Sequence, residues 1–560
     1  MRHRIATIAL TATLGFSLVP SCAPQRAPRC DLLFAGGRVV DGTGAPWFRA
    51  DVCIAGDRIA AVGRLEAAVA TRRVDASRLV VAPGFIDMLG QSEYNVLVDP
   101  RAASKITQGI TTEITGEGNA IAPVNARMIA DGEAAYSRYG VRPDWTTLDG
   151  YWRAFERTRP TINLGTFVGA GGVRDLVIGL DDRPATAEEL RAMEAAIARA
   201  MEDGALGLST SLIYVPDRFA STEEILALAR VAARYGGTYI THLRSEEERI
   251  DQALDEAFRI AHEVPIPTDI YHLKTSGRAN WGRMPAILRR IEEARKQGLD
   301  VAANQYPWTA SSNNLDASLP AWVREGGREK LVARLQDPAT RARAREGFLK
   351  ENPDWTEGGP ASVRIISVLN PELKGYEGKT LEEIGRMDGK DPLEAMMDLI
   401  IADNAHVGRV TFTMSEDDVR AALRHPLVAM CTDSGAAAED GIFAEQKSHP
   451  RAWASATRIL GKYVREEKLL SLEEAIRKMT SLPAARVGLR DRGLLRPGMA
   501  ADLVAFDPAT VRDRSTYTDP THYSEGIVYV AVNGQLVVDG GKITSARPGR
   551  PLKGPGFRAN

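Results

Sequence analysis

The chain is poor in the features that would give a quick answer. It has four cysteines in 560 residues, none in a CxxC or zinc-ribbon spacing. Setting aside Cys22, the remaining Cys30, Cys53 and Cys431 are odd in number, so no disulfide framework is expected. Cys431 reads as a small buried hydrophobe. The formal charge is only −2, with both signs interspersed; a nucleic-acid binder should show a basic stripe. No internal apolar run approaches the ~20 residues of a membrane span. Repeats and low-complexity tracts are lacking as well. With 44% hydrophobic and 26% charged residues, the chain has the composition of a soluble globular protein, and its length calls for two or more domains.

The amino terminus differs from the rest. Arg2, His3 and Arg4 precede an apolar stretch from Ile5 to Val19, then Pro20-Ser21-Cys22. Residues 1–22 have the pattern of a bacterial export signal. V-P-S-C resembles a lipoprotein box, which makes Cys22 the lipidated residue of a periplasmic or membrane-anchored protein. Plain cleavage and release is the other outcome. A lipidated Cys22 would be its only link to a membrane.

Short β runs with Gly and Asp-Gly turns occupy 31–83, among them DLLFAGGRVVDGTG and ADVCIAGDRIAAVG, and recur in 486–555 as ADLVAFDP and IVYVAVNGQLVVDGG. The two ends are expected to complete one small β-sandwich. Between them, over 84–485, strand-like runs alternate with helical segments. Eight are counted: VVAPGFIDML, TTEITGE, INLGTFVGA, ALGLSTSL, TYITHLR, TDIYHLK, LDVAANQYPW and LVAMCTDS. Eight such units predict an α/β fold, a (β/α)8 TIM-like barrel. The gap before the last run is too long for one helix, so about 310–405 is expected to be an insertion, either a lid over the mouth or a surface excursion.

Two histidines end neighbouring strand-like runs, His242 in TYITHLR and His272 in IPTDIYHLK, with an amphipathic helix (246–262) between them. Strand ends converge on one mouth of a parallel barrel, where two imidazoles are placed to hold a metal. Asp433 ends the last apolar run in LVAMCTDSG. Two ligands and an acid so placed suggest metal-assisted hydrolysis; polar barrel residues that only hydrogen-bond are the competing explanation.

GGRVVDGTG at 36–44, APGFID at 82–87, QGITT at 108–112, GALGLSTSLIY at 204–214, THLR at 241–244, HLKTSGRANWG at 272–282, HPR at 449–451 and MTSLPAARVGL at 479–489 follow in an informative order. From about Asp31 to Lys553 the chain resembles the amidohydrolase superfamily, and within it the N-acyl-D-amino-acid deacylase (D-aminoacylase) family. The family's His-x-His pair after GFID is replaced: Leu89 and Gln91 stand in its places. The bridging cysteine is missing too, with Gly116-Glu117-Gly118 in its stretch, and the Gly-His after the third strand is Gly169-Ala170.

The resemblance implies one divalent metal, zinc by its donor set, held by Glu117, His242 and His272. Glu117 is preferred to Glu113, which lies deeper in the strand. Asp433 matches the family's general base, deprotonating a water on the metal and then protonating the leaving nitrogen. Lys274, Tyr214 and Tyr306 would hold the carboxylate of a small-molecule substrate. Arg244 and His449 are further mouth residues, or else an ion pair and a loop cap; His262, His406, His425 and His522 look peripheral. The implied activity is hydrolysis of a linear amide next to a carboxylate, in an N-acyl-D-amino acid or a dipeptide-like compound. Two alternatives stand beside it: a cyclic amide or lactone as substrate, and a catalytically retired barrel serving as a binding lipoprotein. Oligomeric state is left open.

Overall fold

A computed structural model describes residues 28–445 and 447–558; the export signal and Cys22 lie outside the described residues. Each of the eight predicted runs contributes a barrel strand: β1 (Phe85–Asp87), β2 (Ile110–Thr115), β3 (Asn163–Thr166, continued by Val168–Gly169), β4 (Gly207–Ser211), β5 (Thr238–His242), β6 (Thr268–Ile270), β7 (Val301–Gln305) and β8 (Val428–Met430). Neighbours pair in parallel. The ring closes between β8 and β1 through Met88 N to Met430 O, Asp433 N to Leu89 O, and a parallel bridge from Gly90 to Ser434. Every residue of these strands is buried. Apolar strand residues pack in the core, while Thr112, Glu113, Ser209, Thr210, Asn304 and Gln305 are buried polar members of the same strands.

The two chain ends share one nine-stranded sheet. Its seam is the antiparallel pair of Val80–Pro83 with Leu503–Phe506. Phe34, Val52 and Ile54 from one end and Leu503, Ala505 and Ala531 from the other pack in a common core. Here one expectation fails. Cys30 and Cys53 form a disulfide across adjacent strands, their Cα atoms 5.4 Å apart. Strand adjacency, and no sequence spacing, brings them together; among the described residues the free thiol is Cys431, buried as expected.

The segment between β7 and β8 folds as a unit of its own. Ser311–Asn314, Gly408–Thr411 and Val363–Ser367 make a three-stranded antiparallel sheet, and helices pack Leu331, Phe348, Ile384 and Met396 into a separate core. Its last strand runs to Thr411, past the expected boundary near 405. Among the described residues no helix is long and apolar enough to cross a membrane.

Candidate metal centre and active site

His242 ends β5, and His272 lies two residues beyond β6. Their rings stand edge to face, 4.4 Å apart. Glu117 reaches them from the turn after β2. Both flanking glycines have positive φ (95° at Gly116, 63° at Gly118), and a Cβ on Gly116 would fall 2.5 Å from the Phe167 carbonyl, so the turn requires glycine there. Glu117 Oε1 lies 2.9 Å from His242 Nδ1 and 3.1 Å from His272 Nε2. The three donor atoms fall within 4.8 Å of one another. Two imidazoles and a carboxylate converging this way fit a divalent ion such as zinc. Burial pushes the Glu117 carboxyl up, but the hydrogen bonds to both imidazoles outweigh it and hold it well below the carboxylate range. Glu113 is committed elsewhere. It pairs with Lys105 at 2.7 Å, in space that a Cβ on Gly90 would close; Lys105 also contacts Asp87 at 3.0 Å and Thr432 Oγ1 at 2.7 Å.

Asp433 stands across the mouth from this cluster, three residues past the end of β8. Arg451 Nη1 holds its Oδ2 at 2.6 Å, and Gln91 Nε2 donates to its Oδ1 at 3.1 Å. Gln91 donates equally to Glu117 Oε2, at 3.2 Å, and so ties the two acids together, while Leu89 packs into the apolar core. Burial raises Asp433 above its ordinary value against the pull of Arg451 and His272. His272 and Asp433 both adopt positive φ, 30° and 50°. For non-glycine residues this costs about 1–3 kcal/mol each. Bonds from His272 N to Asn304 Oδ1 and from Asp433 N to Leu89 O, both 2.8 Å, hold these conformations.

Glu246 is the side chain that sequence reasoning missed. It was placed at the start of a helix, but the helix begins at Ile250, which leaves Glu246 free to fold back over the histidines. Its Oε1 is 3.2 Å from His272 Nδ1 and 3.6 Å from His242 Nε2, on the far side of both rings from Glu117. Its acid spacing of four from His242 was a visible signal. Arg451, in the HPR motif, was overlooked likewise.

The expected carboxylate-binding residues line the same region in different states. Lys274 Nζ is 2.5 Å from Glu246 Oε1 and 2.8 Å from His272 Nδ1, an ion-paired lysine. Tyr214 packs its ring 5.4 Å from that of His242, and its hydroxyl accepts from Asn313 Nδ2 at 3.2 Å. Among the described residues the Tyr306 hydroxyl meets only the Met414 sulfur, at 4.0 Å, beneath the Arg451 guanidinium. Arg244 is fixed by two bonds to Glu256, and His449 bridges Ala310 O and Arg451 N; both are held structurally. Above the site a cavity of about 710 Å³ extends under the inserted unit, lined by Arg218, Glu246, Asn313, Arg409 and Phe412 among others.

Residues 72–538 match the model of the amidohydrolase family. Over 526 residues the chain is 38% identical to an N-acyl-D-glutamate deacylase of Alcaligenes xylosoxydans xylosoxydans, spanning 94% of this chain and 97% of that one. A D-aminoacylase of the same organism is 36% identical over 523 residues, 93% and 97% of the two chains. Among solved structures, the N-acyl-D-glutamate deacylase of Bordetella bronchiseptica, complexed with zinc and a phosphonate inhibitor, superposes with a TM-score of 0.78 at 34% identity, covering 94% of this chain and all (100%) of that one. With this coverage and the strand-end site in place, the chain belongs to the amidohydrolase family, in the branch that contains the D-aminoacylases.

Proposed function

We propose that this protein is a metal-dependent amidohydrolase that cleaves a linear amide next to a carboxylate, in an N-acyl-D-amino acid or a related dipeptide-like compound. The observation that carries this is the convergence of Glu117, His242 and His272 on one point with Asp433 facing them. One divalent ion, zinc, is the resident metal in this reading; bound there it supplies a Lewis acid that polarises the amide carbonyl and acidifies water. Gln91 supports a single ion, because its amide occupies the space between Glu117 and Asp433.

The chain's own groups do the rest. Asp433 takes the proton from the attacking water and returns it to the leaving nitrogen. Arg451 and Gln91 fix its orientation, and its burial raises its basicity toward that task. Tyr306, with no strong partner for its hydroxyl, is the freest donor for the substrate's α-carboxylate. Lys274 supplies positive charge on the same wall, and Tyr214 closes the side beside His242.

Incubation with a panel of N-acetyl-D- and N-acetyl-L-amino acids tests the activity. Release of free D-amino acid, abolished by a chelator and by Asp433→Asn, is expected. Hydrolysis of hydantoins or lactones alone would replace the proposed bond, and no hydrolysis after zinc reconstitution would remove the catalytic reading.

The same reading places the protein outside the cytoplasm, anchored through Cys22. The Cys30–Cys53 disulfide supports it, since such bonds persist in oxidising compartments. Mass spectrometry of the mature amino terminus from membrane fractions should find a diacylated Cys22; an unmodified chain in the cytosol would contradict this.

A further inference from the structure

Charged groups in this fold are generally paired: Arg174 with Glu224, Arg244 with Glu256 and Arg486 with Asp269. Among the described arginines near the cavity, Arg218, Arg324 and Arg409 have no carboxylate within salt-bridge distance. Arg218, on the loop after β4, lines the cavity, and its guanidinium has no hydrogen-bond or salt-bridge partner among the described residues. Arg409, on a strand of the inserted unit, also lines it; Nε donates to Asn313 Oδ1 at 3.0 Å, leaving both terminal nitrogens free. Arg324, from the same unit, is only 7% exposed, reaches just the Ile213 carbonyl at 3.4 Å, and has a buried Nε without a partner. Burial depresses both Arg324 and Arg409; Arg218 pushes Arg324 further down, and Arg324 does the same to Arg409.

Asp316 attracts both Arg324 and Arg409, and Glu247 and Glu351 attract one each, but among the described residues none of these acids forms a hydrogen bond or salt bridge with them. Asp316 keeps a buried oxygen unpartnered, and burial raises it. Glu247, exposed on the cavity wall beside Glu248, makes no hydrogen bond or salt bridge to these arginines among the described residues. Glu351 also lines the cavity without pairing to the trio. Unpaired buried guanidinium is costly, and a carboxylate that accepts two parallel N–H bonds is its natural partner.

The distance from the metal centre is informative. Arg409 touches Asn313, Asn313 touches the Tyr214 hydroxyl, and the Tyr214 ring packs on His242. The guanidinium thus stands two side chains out from the reacting centre, where the far end of a substrate side chain would reach.

We propose that Arg409, backed by Arg218 and Arg324, binds a second carboxylate on the substrate, so that the enzyme takes N-acyl derivatives of acidic D-amino acids in preference to their neutral isosteres. This rests on the amidohydrolase reading above.

The test compares N-acetyl-D-glutamate with N-acetyl-D-glutamine, which differ only in that charge, on the zinc-loaded protein. About tenfold or greater preference in kcat/KM for the glutamate compound is expected. Arg409→Gln and, separately, Arg218→Gln should erase most of it while leaving the glutamine compound within about twofold; Arg409→Lys should retain part. Calorimetric binding of free D-glutamate and D-glutamine gives the same comparison without turnover. Preference for D-glutamate in binding, lost in Arg409→Gln, would sustain the subsite even if no amide were cleaved. Equal binding of the two, or equal loss for both in the variants, would overturn it.

Discussion

Gln91 and Asp433 meet at 3.1 Å, the Gln91 amide donating to the carboxylate across 342 residues of sequence. The same nitrogen donates to Glu117. A neutral amide therefore spans the gap between the candidate base and the candidate ligand. Hydrogen bonds to an ionised carboxylate favour that form. Replacing Gln91 by Ala should raise the pKa of Asp433 and move the acid limb of the kcat/KM profile upward by about 0.5–1 unit, the equivalent of roughly 1 kcal/mol. A pH–rate profile of both proteins checks it; an unshifted limb would mean that the contact does not act on the base.

Glu246 orients His272 from behind and holds Lys274. Outer carboxylates of this kind fix imidazole tautomers, and their loss commonly costs about 10–100-fold in metal affinity. Glu246→Gln should weaken zinc binding by that amount in competition with a chelating dye, and Glu246→Asp by less. Unchanged affinity would reduce Glu246 to a partner of Lys274 alone.

In the zinc-free protein, burial and Lys274 pull His272 down, but Asp433, Glu117 and Glu246 outweigh them and raise it from 6.5 to about 9. Its charged form is stabilised by folding. The contribution, of order 3 kcal/mol, is fully present below pH 6.5 and is lost as pH rises through about 9. Zinc competes with that proton. Thermal melts should show the metal-free Tm falling by a few degrees over this range, with the rise on adding zinc larger at pH 8.5 than at pH 6. A zinc-induced rise that shrank with pH would contradict the assignment.

Lys105 is fully buried between Asp87 and Glu113. Lys105→Met leaves two carboxyl groups in the core without a cation and should cost about 3–5 kcal/mol in denaturant unfolding. Glu113→Gln, which leaves the Asp87 pair, should cost less. Equal losses would mean that Asp87 contributes little.

The eight barrel strands were legible because short runs rich in Val, Ile, Leu and Thr, bounded by turn residues, alternate with helical segments along the chain. His242, His272 and Asp433 stood out because polar residues ended those runs. The partners of these residues were not legible. Arg451 reaches Asp433 only because barrel closure sets the end of β8 against the HPR segment. Glu246 depends on where a helix starts, and no side-chain cap marks that start. Lys274 was visible as a cation facing the mouth, but its commitment to Glu246 was not. The disulfide was hidden because Cys30 and Cys53 carry no spacing signature; only the pairing of their strands brings them into reach.

The most direct measurement is the zinc content of the mature protein after saturation and desalting, beside Glu117→Ala and His272→Ala. The site built here predicts one zinc per chain in the unaltered protein and near none in either variant, with both variants still folded by circular dichroism. Two zinc ions per chain would contradict the bridging role of Gln91. No zinc in any of the three, or an undiminished one in the variants, would contradict the Glu117–His242–His272 centre itself.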